Sequence, residues 1–390
     1  MLLPILMIPD GHYRGSPKAF CVVLLAMLVV IIAVDRISPA ILPIDAYYFR
    51  PWEYMTGSNR FGLPRTNESV TMKSYGDLSN MLGVRSYRKY RIVTSTVDSR
   101  GHRNSPITQH DNPDIVIIGN SFMYGAGTTD DETFASQLQK RLPSKKVTAE
   151  VPVNISDFLR DERYIADPPP LVIWGRAERN TTIHDSELQK VLADTSCFQD
   201  TTEFEQFVAD AKAIVKRAIK DVAEYVRLSI IRRNSQQLYQ ELRFRITGEH
   251  EPGAILAEGS DEIIFYAKSI RLVSQDAEAR GLEDVARAVA HVQSCLEHRG
   301  TDLVFLTIPD KPHMYPTFLP EEYRASHDVD PLDTLHALLT EKGVVAVPLW
   351  PAFRDHALQG EDLYWPDDTH WNGEGIRIAV DELIKIAEER

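Results

Sequence analysis

Two short stretches hold residue types able to do nucleophilic chemistry, and they lie far apart in the chain. The first is Gly119-Asn120-Ser121-Phe122, which follows the apolar run Asp114-Ile-Val-Ile-Ile and leads into the turn Met123-Tyr-Gly-Ala-Gly127. A serine at the carboxyl end of a buried strand is presented where ligands of open α/β sheets bind, and its own backbone N–H can face the same space. Taken alone, such a serine suits the capping of a helix equally well. The second is Trp365-Pro-Asp-Asp-Thr-His-Trp-Asn-Gly-Glu-Gly375. A carboxylate two or three residues before a histidine can hold one imidazole tautomer while the other ring nitrogen faces a serine. Ser121, His370 and either Asp368 or Asp367 would then form a hydrolase-type constellation. Asp367, Asp368 and His370 could also ligate a cation, but no recognisable set of remaining ligands accompanies them. Trp365 and Trp371, which flank the histidine, suit the stacking of sugar rings if exposed and the core of their loop if not.

Stepping outward from these residues, the uninterrupted apolar run ended by Gly119 predicts a strand buried on both faces. Further strands are expected at Lys146–Val153, Leu171–Trp174, Leu303–Ile308 and Val344–Leu349. Helical spacing is found at Thr133–Leu142, behind the acidic Asp130, Asp131 and Glu132, and again at Leu282–Val292, at Pro331–Leu339 and at Ile376–Glu388. Alternation of strand and helix argues an α/β domain with a parallel sheet. Residues 37–113 show no lasting periodicity and are read as a lead-in of loops and short elements in which no function is visible. Between Cys197 and Gly248 one long amphipathic helix is expected, apolar along one face, with a basic face that includes Arg232 and Arg233. It is read as a helical insertion, over 196–260, whose basic face is solvated or meets anionic lipid. The α/β domain is accordingly divided into 114–195 and 261–390.

The 390 residues are 43% hydrophobic and 25% charged, the composition of an ordinary globular chain. A formal net charge of −13 would repel a phosphate backbone, so nucleic acid is not expected as a partner. Only three cysteines occur, Cys21, Cys197 and Cys295, without a CxxC pair, which excludes a disulfide framework and structural zinc as the basis of the fold. The averages conceal an uncharged run from Ala19 to Val34, close to the ~20 residues that a bilayer core asks for. It is read as a membrane anchor over 19–36, with a signal peptide or a buried helix as the alternatives. Arg14 and Lys18 favour a cytoplasmic segment 1–18 and a domain outside the cytoplasmic membrane, in the periplasm, where a Cys197–Cys295 bond would be permitted.

Asp114–Gly127 and Asp367–Gly375 resemble the first and last motif blocks of the SGNH, or GDSL-like, hydrolase superfamily, with Asn120 in place of the usual Asp. The chain is most similar to that superfamily's alginate O-acetyltransferase-type branch of bacterial envelopes. Asp368-Thr-His-Trp371, Pro309-Asp-Lys311, Tyr315-Pro316, Leu319-Pro320, Ile264-Phe-Tyr266 and Ala177-Glu-Arg179 carry that likeness. It implies an SGNH-type three-layer α/β/α domain, with Ser121 as nucleophile, His370 as general base and acid, and Asp368 as its orienter, Asp367 being the alternative. Lys311 and Tyr315 match family positions, with packing or substrate contact as their expected roles. The histidine block follows the serine block, as in ordinary SGNH hydrolases and unlike the alginate enzymes. The superfamily's second- and third-block oxyanion residues have no match, so Arg179, Asn154 and Asn180 are the candidate oxyanion or substrate residues, with Trp371 as a substrate candidate. The activity implied is acetyl transfer through an acyl-serine to a polysaccharide, with a membrane-bound O-acyltransferase as partner and with no metal, nucleotide or other cofactor. An esterase using the same triad and a non-catalytic scaffold or carbohydrate-binding protein are the alternatives.

Overall fold

The computed structural model describes residues 17–57, 65–193, 229–249, 253–257, 263–324 and 329–388, together with the isolated positions 215 and 219. Cys197 and most of the expected 197–248 helix lie outside the described residues.

Five parallel strands form the central sheet: β3 (Ile115–Gly119), β4 (Val147–Glu150), β5 (Leu171–Ala177), β8 (Asp302–Ile308) and β9 (Val345–Pro348), in the order β4-β3-β5-β8-β9. Alternation along β3 shows why its sequence is apolar without interruption. Ile115 and Ile117 join one core, with Phe134, Leu138, Ile376 and Trp371, while Val116 and Ile118 join the other, with Val285, Val289 and Leu335. Helices 134–141, 349–358 and 373–388 cover the first face and helices 282–297 and 331–341 the second, so the domain has three layers, α/β/α. Each fully buried aliphatic side chain of β3 contributes up to roughly 1.5–3 kcal/mol.

The strand order reverses between β3 and β5, and in such sheets the crevice outside the strand ends at that point receives ligands. Ser121 follows β3 and Arg179 follows β5 on the two sides of this crevice. The turn that lifts Ser121 out of the sheet depends on two glycines in register, Gly119 on β3 and Gly175 on β5. Gly119 has a φ of 150°, and a Cβ there would collide with the Gly175 carbonyl oxygen. A Cβ on Gly175 would strike the Met123 side chain, which lies across the strand ends.

The described residues of 37–113 form more regular structure than expected. Strands β1 (Glu68–Ser74) and β2 (Arg91–Val97) pair antiparallel, with Val70, Met72, Val93 and Val97 buried. The period-two alternation of Arg91-Ile-Val-Thr-Ser-Thr-Val97 is the signal of a half-buried strand. A second antiparallel pair joins β6 (Ala254–Leu256) to β7 (Ile264–Tyr266). Within the expected insertion the described helix is Ile230–Thr247, and the reading of its arginines as a solvated face is corrected for Arg233, whose guanidinium donates to the Ala46 carbonyl and the Tyr75 hydroxyl. The helix Pro17–Ile37 is exposed and apolar, with a mean hydropathy of 2.7 over its best window, and is long enough to cross a membrane.

Gly119→Ala is expected to destabilise the domain by about 1–3 kcal/mol from backbone strain, and by more where β3 and β5 are forced apart. A denaturant midpoint equal to that of the unsubstituted protein would show that the paired glycines do not govern this turn.

Candidate active site

Ser121 is half-buried at the end of β3, and its Oγ lies 2.7 Å from Nε2 of His370. On the other side of the ring, Nδ1 is 2.6 Å from Oδ1 of Asp368. Both Asp368 and His370 are almost fully buried. The His370 backbone N–H also donates to Asp368 Oδ1 at 3.2 Å, so the carboxylate is aligned on ring and backbone together. Phe122 packs against the imidazole with ring centroids 4.9 Å apart. Trp371 donates its indole N–H to the Phe122 carbonyl at 3.0 Å, which ties the histidine loop to the serine turn.

Two adjacent buried carboxylates, Asp367 and Asp368, would be unstable without a counter-charge. Arg91 supplies it from the first residue of β2: Nη1 lies 3.0 Å from Asp367 Oδ1 and Nη2 lies 2.8 Å from Asp368 Oδ2. Its Nε donates to the Gly127 carbonyl at 3.0 Å, and its guanidinium covers the Trp365 ring at 4.4 Å. Burial alone would raise the Asp368 carboxyl, but His370 and Arg91 hold it well below the usual carboxylate range. Asp367 accepts from the backbone N–H groups of Gly76 at 2.7 Å and Lys89 at 2.9 Å, so it anchors the loop while Asp368 addresses the imidazole.

Asp77 is a third buried carboxylate, and nothing in its sequence neighbourhood marks it. It receives the Thr369 backbone N–H and hydroxyl, both at 2.8 Å, and one of its oxygens lies 4.0 Å from His370 Nδ1. Burial, and then the charge of Asp368, raise its pKa. Asp77, Asp368 and His370 offer three possible metal-ligand atoms within 4.8 Å of one another. The imidazole nitrogen in that set is, however, hydrogen-bonded to Asp368, and Arg91 faces the same carboxylate, an arrangement that suits a proton relay.

Lys311 lies beneath the loop, its Nζ donating to the carbonyls of Ile264, Pro366 and Asp368 at 2.8, 2.9 and 2.8 Å. Burial pushes its pKa down to about 8, and with three neutral acceptors it acts as a bolt on the loop backbone. The Tyr315 hydroxyl bridges the Glu361 carbonyl and the Leu363 N–H.

Arg179 pairs with the buried Asp310, and its guanidinium lies 4.9 Å from the centre of the Phe122 ring, which places it beside the serine turn. Asn180 receives a hydrogen bond from Asn120 at 3.4 Å and donates to Asp185, while Asn120 accepts the Phe122 N–H at 3.0 Å. Asn154 is exposed and its amide turns to Asp157. Trp371 is completely buried, which corrects its reading as a surface on which a sugar could stack; its indole fills the core between Phe122 and Phe134. Trp365 is partly buried under Arg91. Sequence reasoning missed Arg91 and Asp77 because their partners lie 276 to 292 residues away.

A serine–imidazole–carboxylate relay at the switch point of a parallel α/β sheet has the geometry of a hydrolase-type site. Residues 256–390 match the family model described as "SGNH hydrolase-like domain, acetyltransferase AlgX". The match includes His370, Asp368, Asp367 and Lys311, while Ser121 precedes it. Among curated proteins the chain is 28% identical over 156 residues to the probable alginate O-acetylase AlgJ of Pseudomonas syringae pv. tomato, covering 39% of this chain and 38% of that one. It is 28% identical over 179 residues to the protein of the same name from Pseudomonas fluorescens, covering 45% and 44%. The Pseudomonas putida protein is 26% identical over 155 residues, covering 40% and 39%. The matches span less than half the length of these relatives. Over residues 256–390 the chain is thus similar to SGNH hydrolase-like domains of the acetyltransferase type, and over less than half of its length to probable alginate O-acetylases.

Arg91→Met should leave Asp367 and Asp368 uncompensated and cost about 3–5 kcal/mol. A carboxyl held low when folded contributes stability above its unfolded pKa, and that stability is lost as pH falls through the folded value. Without Arg91 the folded value rises toward the unfolded one, so the variant should be less stable near pH 7 and lose less further stability than the parent as pH falls toward 3; identical melting profiles from pH 7 to 3 would contradict the clamp.

A second ionic group links β5 to β8. Glu178 accepts from Arg280 at 2.7 Å, from His313 Nδ1 at 3.0 Å and from the Asp310 N–H at 3.0 Å, and His313 Nε2 is 2.9 Å from Asp330. Burial would lower His313, but Glu178 and Asp330 raise it to about 10. A raised histidine contributes stability below its unfolded pKa of about 6.5 and loses it as pH rises through the folded value, so stability should decline between about pH 6.5 and 10. His313→Gln should flatten that decline in thermal scans, and an unaltered slope would argue against it.

Proposed function

We propose that the protein is an O-acetyltransferase that forms an acetyl-Ser121 intermediate and passes the acetyl group to a hydroxyl of a polysaccharide. The Asp368–His370–Ser121 relay, with contacts of 2.6 and 2.7 Å, is the observation that carries this reading. His370 Nε2 removes the Ser121 proton as Oγ attacks the acetyl carbonyl, and Asp368 stabilises the imidazolium that results. Among the described residues the Ser121 backbone N–H has no hydrogen-bond acceptor, and it supplies one donor for the oxyanion. Arg179, held by Asp310 at the other rim of the crevice, is proposed as the second cationic contact, with Asn180 beside it.

Collapse of the tetrahedral adduct breaks the bond to the donor's leaving group, which takes the proton from His370. In the second half, His370 removes a proton from the acceptor hydroxyl, the hydroxyl oxygen attacks acetyl-Ser121, and Ser121 regains its proton as the sugar ester leaves. Every proton in this cycle passes through His370, so the steps need no bound metal. The names of the relatives as alginate O-acetylases support a polysaccharide acceptor. The helix Pro17–Ile37 supports a single membrane anchor with the domain outside the cytoplasmic membrane, and a membrane-bound O-acyltransferase is the proposed source of the acetyl group.

The test is to incubate the protein with an activated acetyl ester, with and without an oligosaccharide acceptor, beside Ser121→Ala. Acetylated sugar, lost by at least about 10³-fold in the variant, is expected. Release of acetate alone would replace the transferase with an esterase, and sugar binding without turnover would replace it with a scaffold. Turnover unaffected by Ser121→Ala would remove the relay from the reaction.

A further inference from the structure

The helix Ile230–Thr247 has two dissimilar faces. Its inner face is docked on the domain: Arg233 bonds Ala46 and Tyr75, Phe244 packs edge-on against Tyr87, and Glu241 accepts the Arg85 N–H at 3.0 Å. On the outer side, Ile231, Leu238, Tyr239, Leu242 and Ile246 are 42–79% exposed. At 100° per residue these five fall within an arc of about 100°, an apolar stripe of the width by which a helix buries itself against a neighbour. No described residue covers it.

The position of this stripe indicates what does. The Ile231 backbone N–H donates to Oδ1 of Asp35 at 3.2 Å, and Asp35 lies in the last turn of the membrane-length helix Pro17–Ile37. The stripe therefore begins where the apolar helix ends, and the exposed Ile41 and Leu42 follow that helix directly. Apart from the docked Arg233 the helix carries Arg232, Arg243 and Arg245, of which Arg243 pairs with Glu249 and Arg245 with Glu241, the helix's single acidic residue, in a protein whose net charge is −13. A local cationic surface beside an apolar stripe, starting at the end of a membrane helix, has the chemistry of an interfacial helix.

We propose that helix Ile230–Thr247 lies in the head-group region of an anionic bilayer as a second membrane contact. Its inner face reaches the segment Leu82–Lys89, and the Lys89 N–H holds Asp367, so the bilayer fixes the orientation of the active-site crevice rather than leaving the domain on a free tether. This rests on the membrane reading of Pro17–Ile37, and the experiment separates the two.

The full chain is placed one copy per nanodisc of phosphatidylcholine and phosphatidylglycerol, with an environment-sensitive fluorophore on one chosen cysteine, and any labelling of Cys197 and Cys295, which every sample retains, is read from the blank and subtracted. The native Cys21 reports on the anchor. In a Cys21→Ser background, Leu242→Cys and Ile246→Cys report on the stripe and Gln236→Cys on the flank, with the Cys21→Ser parent as the labelling blank. All three positions are exposed, so these changes should leave folding intact. Positions 242 and 246 should show blue-shifted emission and be quenched several-fold more than 236 by a nitroxide-bearing lipid. If 242 and 246 behave as 236 does while Cys21 is quenched, the stripe faces water and the proposal falls while the anchor stands. If Cys21 itself is not quenched, the anchor reading fails. A blue shift at 242 without lipid quenching would mean that protein covers the stripe, and would overturn the proposal.

Discussion

Two neighbouring carboxylates buried in one loop set the terms for the rest of this structure. Asp367 and Asp368 are both solvent-inaccessible, and a pair of such charges persists only with a fixed cation and a full set of donors. Arg91 is that cation, and its planar fork suits the task, since its two terminal nitrogens reach the two carboxylates separately while Nε is occupied by Gly127. A lysine could place one charge but not span both. The imidazole orientation thus traces back to a strand that is not part of the central sheet.

The same constraint explains how the lead-in packs. A side chain on Gly76 would overlap the Asp367 backbone, so the chain there approaches the histidine loop as closely as two backbones can. Gly76 and Lys89 then give their N–H groups to Asp367, and Asp77 receives Thr369. From below, Lys311 gathers three carbonyls of β7 and the loop. Four separate segments thereby hold a loop of only a few residues, and the relay to Ser121 inherits its precision from them. The buried Glu178 and Arg280, with the half-buried His313, do for the β5 and β8 ends what Arg91 does for the loop, joining elements by charge.

The sequence revealed those parts of the fold that are governed by local pattern. Strand β3 was legible because a run apolar at every position has few homes other than a sheet covered on both faces. The relay was half legible: the spacing of Asp368 and His370 is local, and the preference for Asp368 over Asp367 as the residue facing the ring rested on the Asp-x-His-Trp pattern. Arg91 and Asp77 were not legible, because a contact across nearly three hundred residues leaves no periodic trace in either segment. The alternation of Arg91–Val97 was present but weak beside the prolines, glycines and tyrosines around it. Trp371 could not be assigned from composition, since a tryptophan beside a catalytic-type histidine serves core and surface equally well, and only packing against Phe122 and Phe134 decides the matter.

Ser121 and His370 are 249 residues apart, and the guanidinium that steadies their third member lies a further 30 residues upstream of the serine. Such a site has no local precursor. Closing a loop over these distances costs more chain entropy than a local contact, and the relay needs the sheet that aligns its two ends. A chain emerging unfolded on either side of a membrane would carry a plain serine, no more reactive than any other hydroxyl, until hairpin, sheet and histidine loop had all met. The proposed reactivity of Ser121 is in this sense a property of the finished topology, and loss of the hairpin alone would take the fixed cation from its relay.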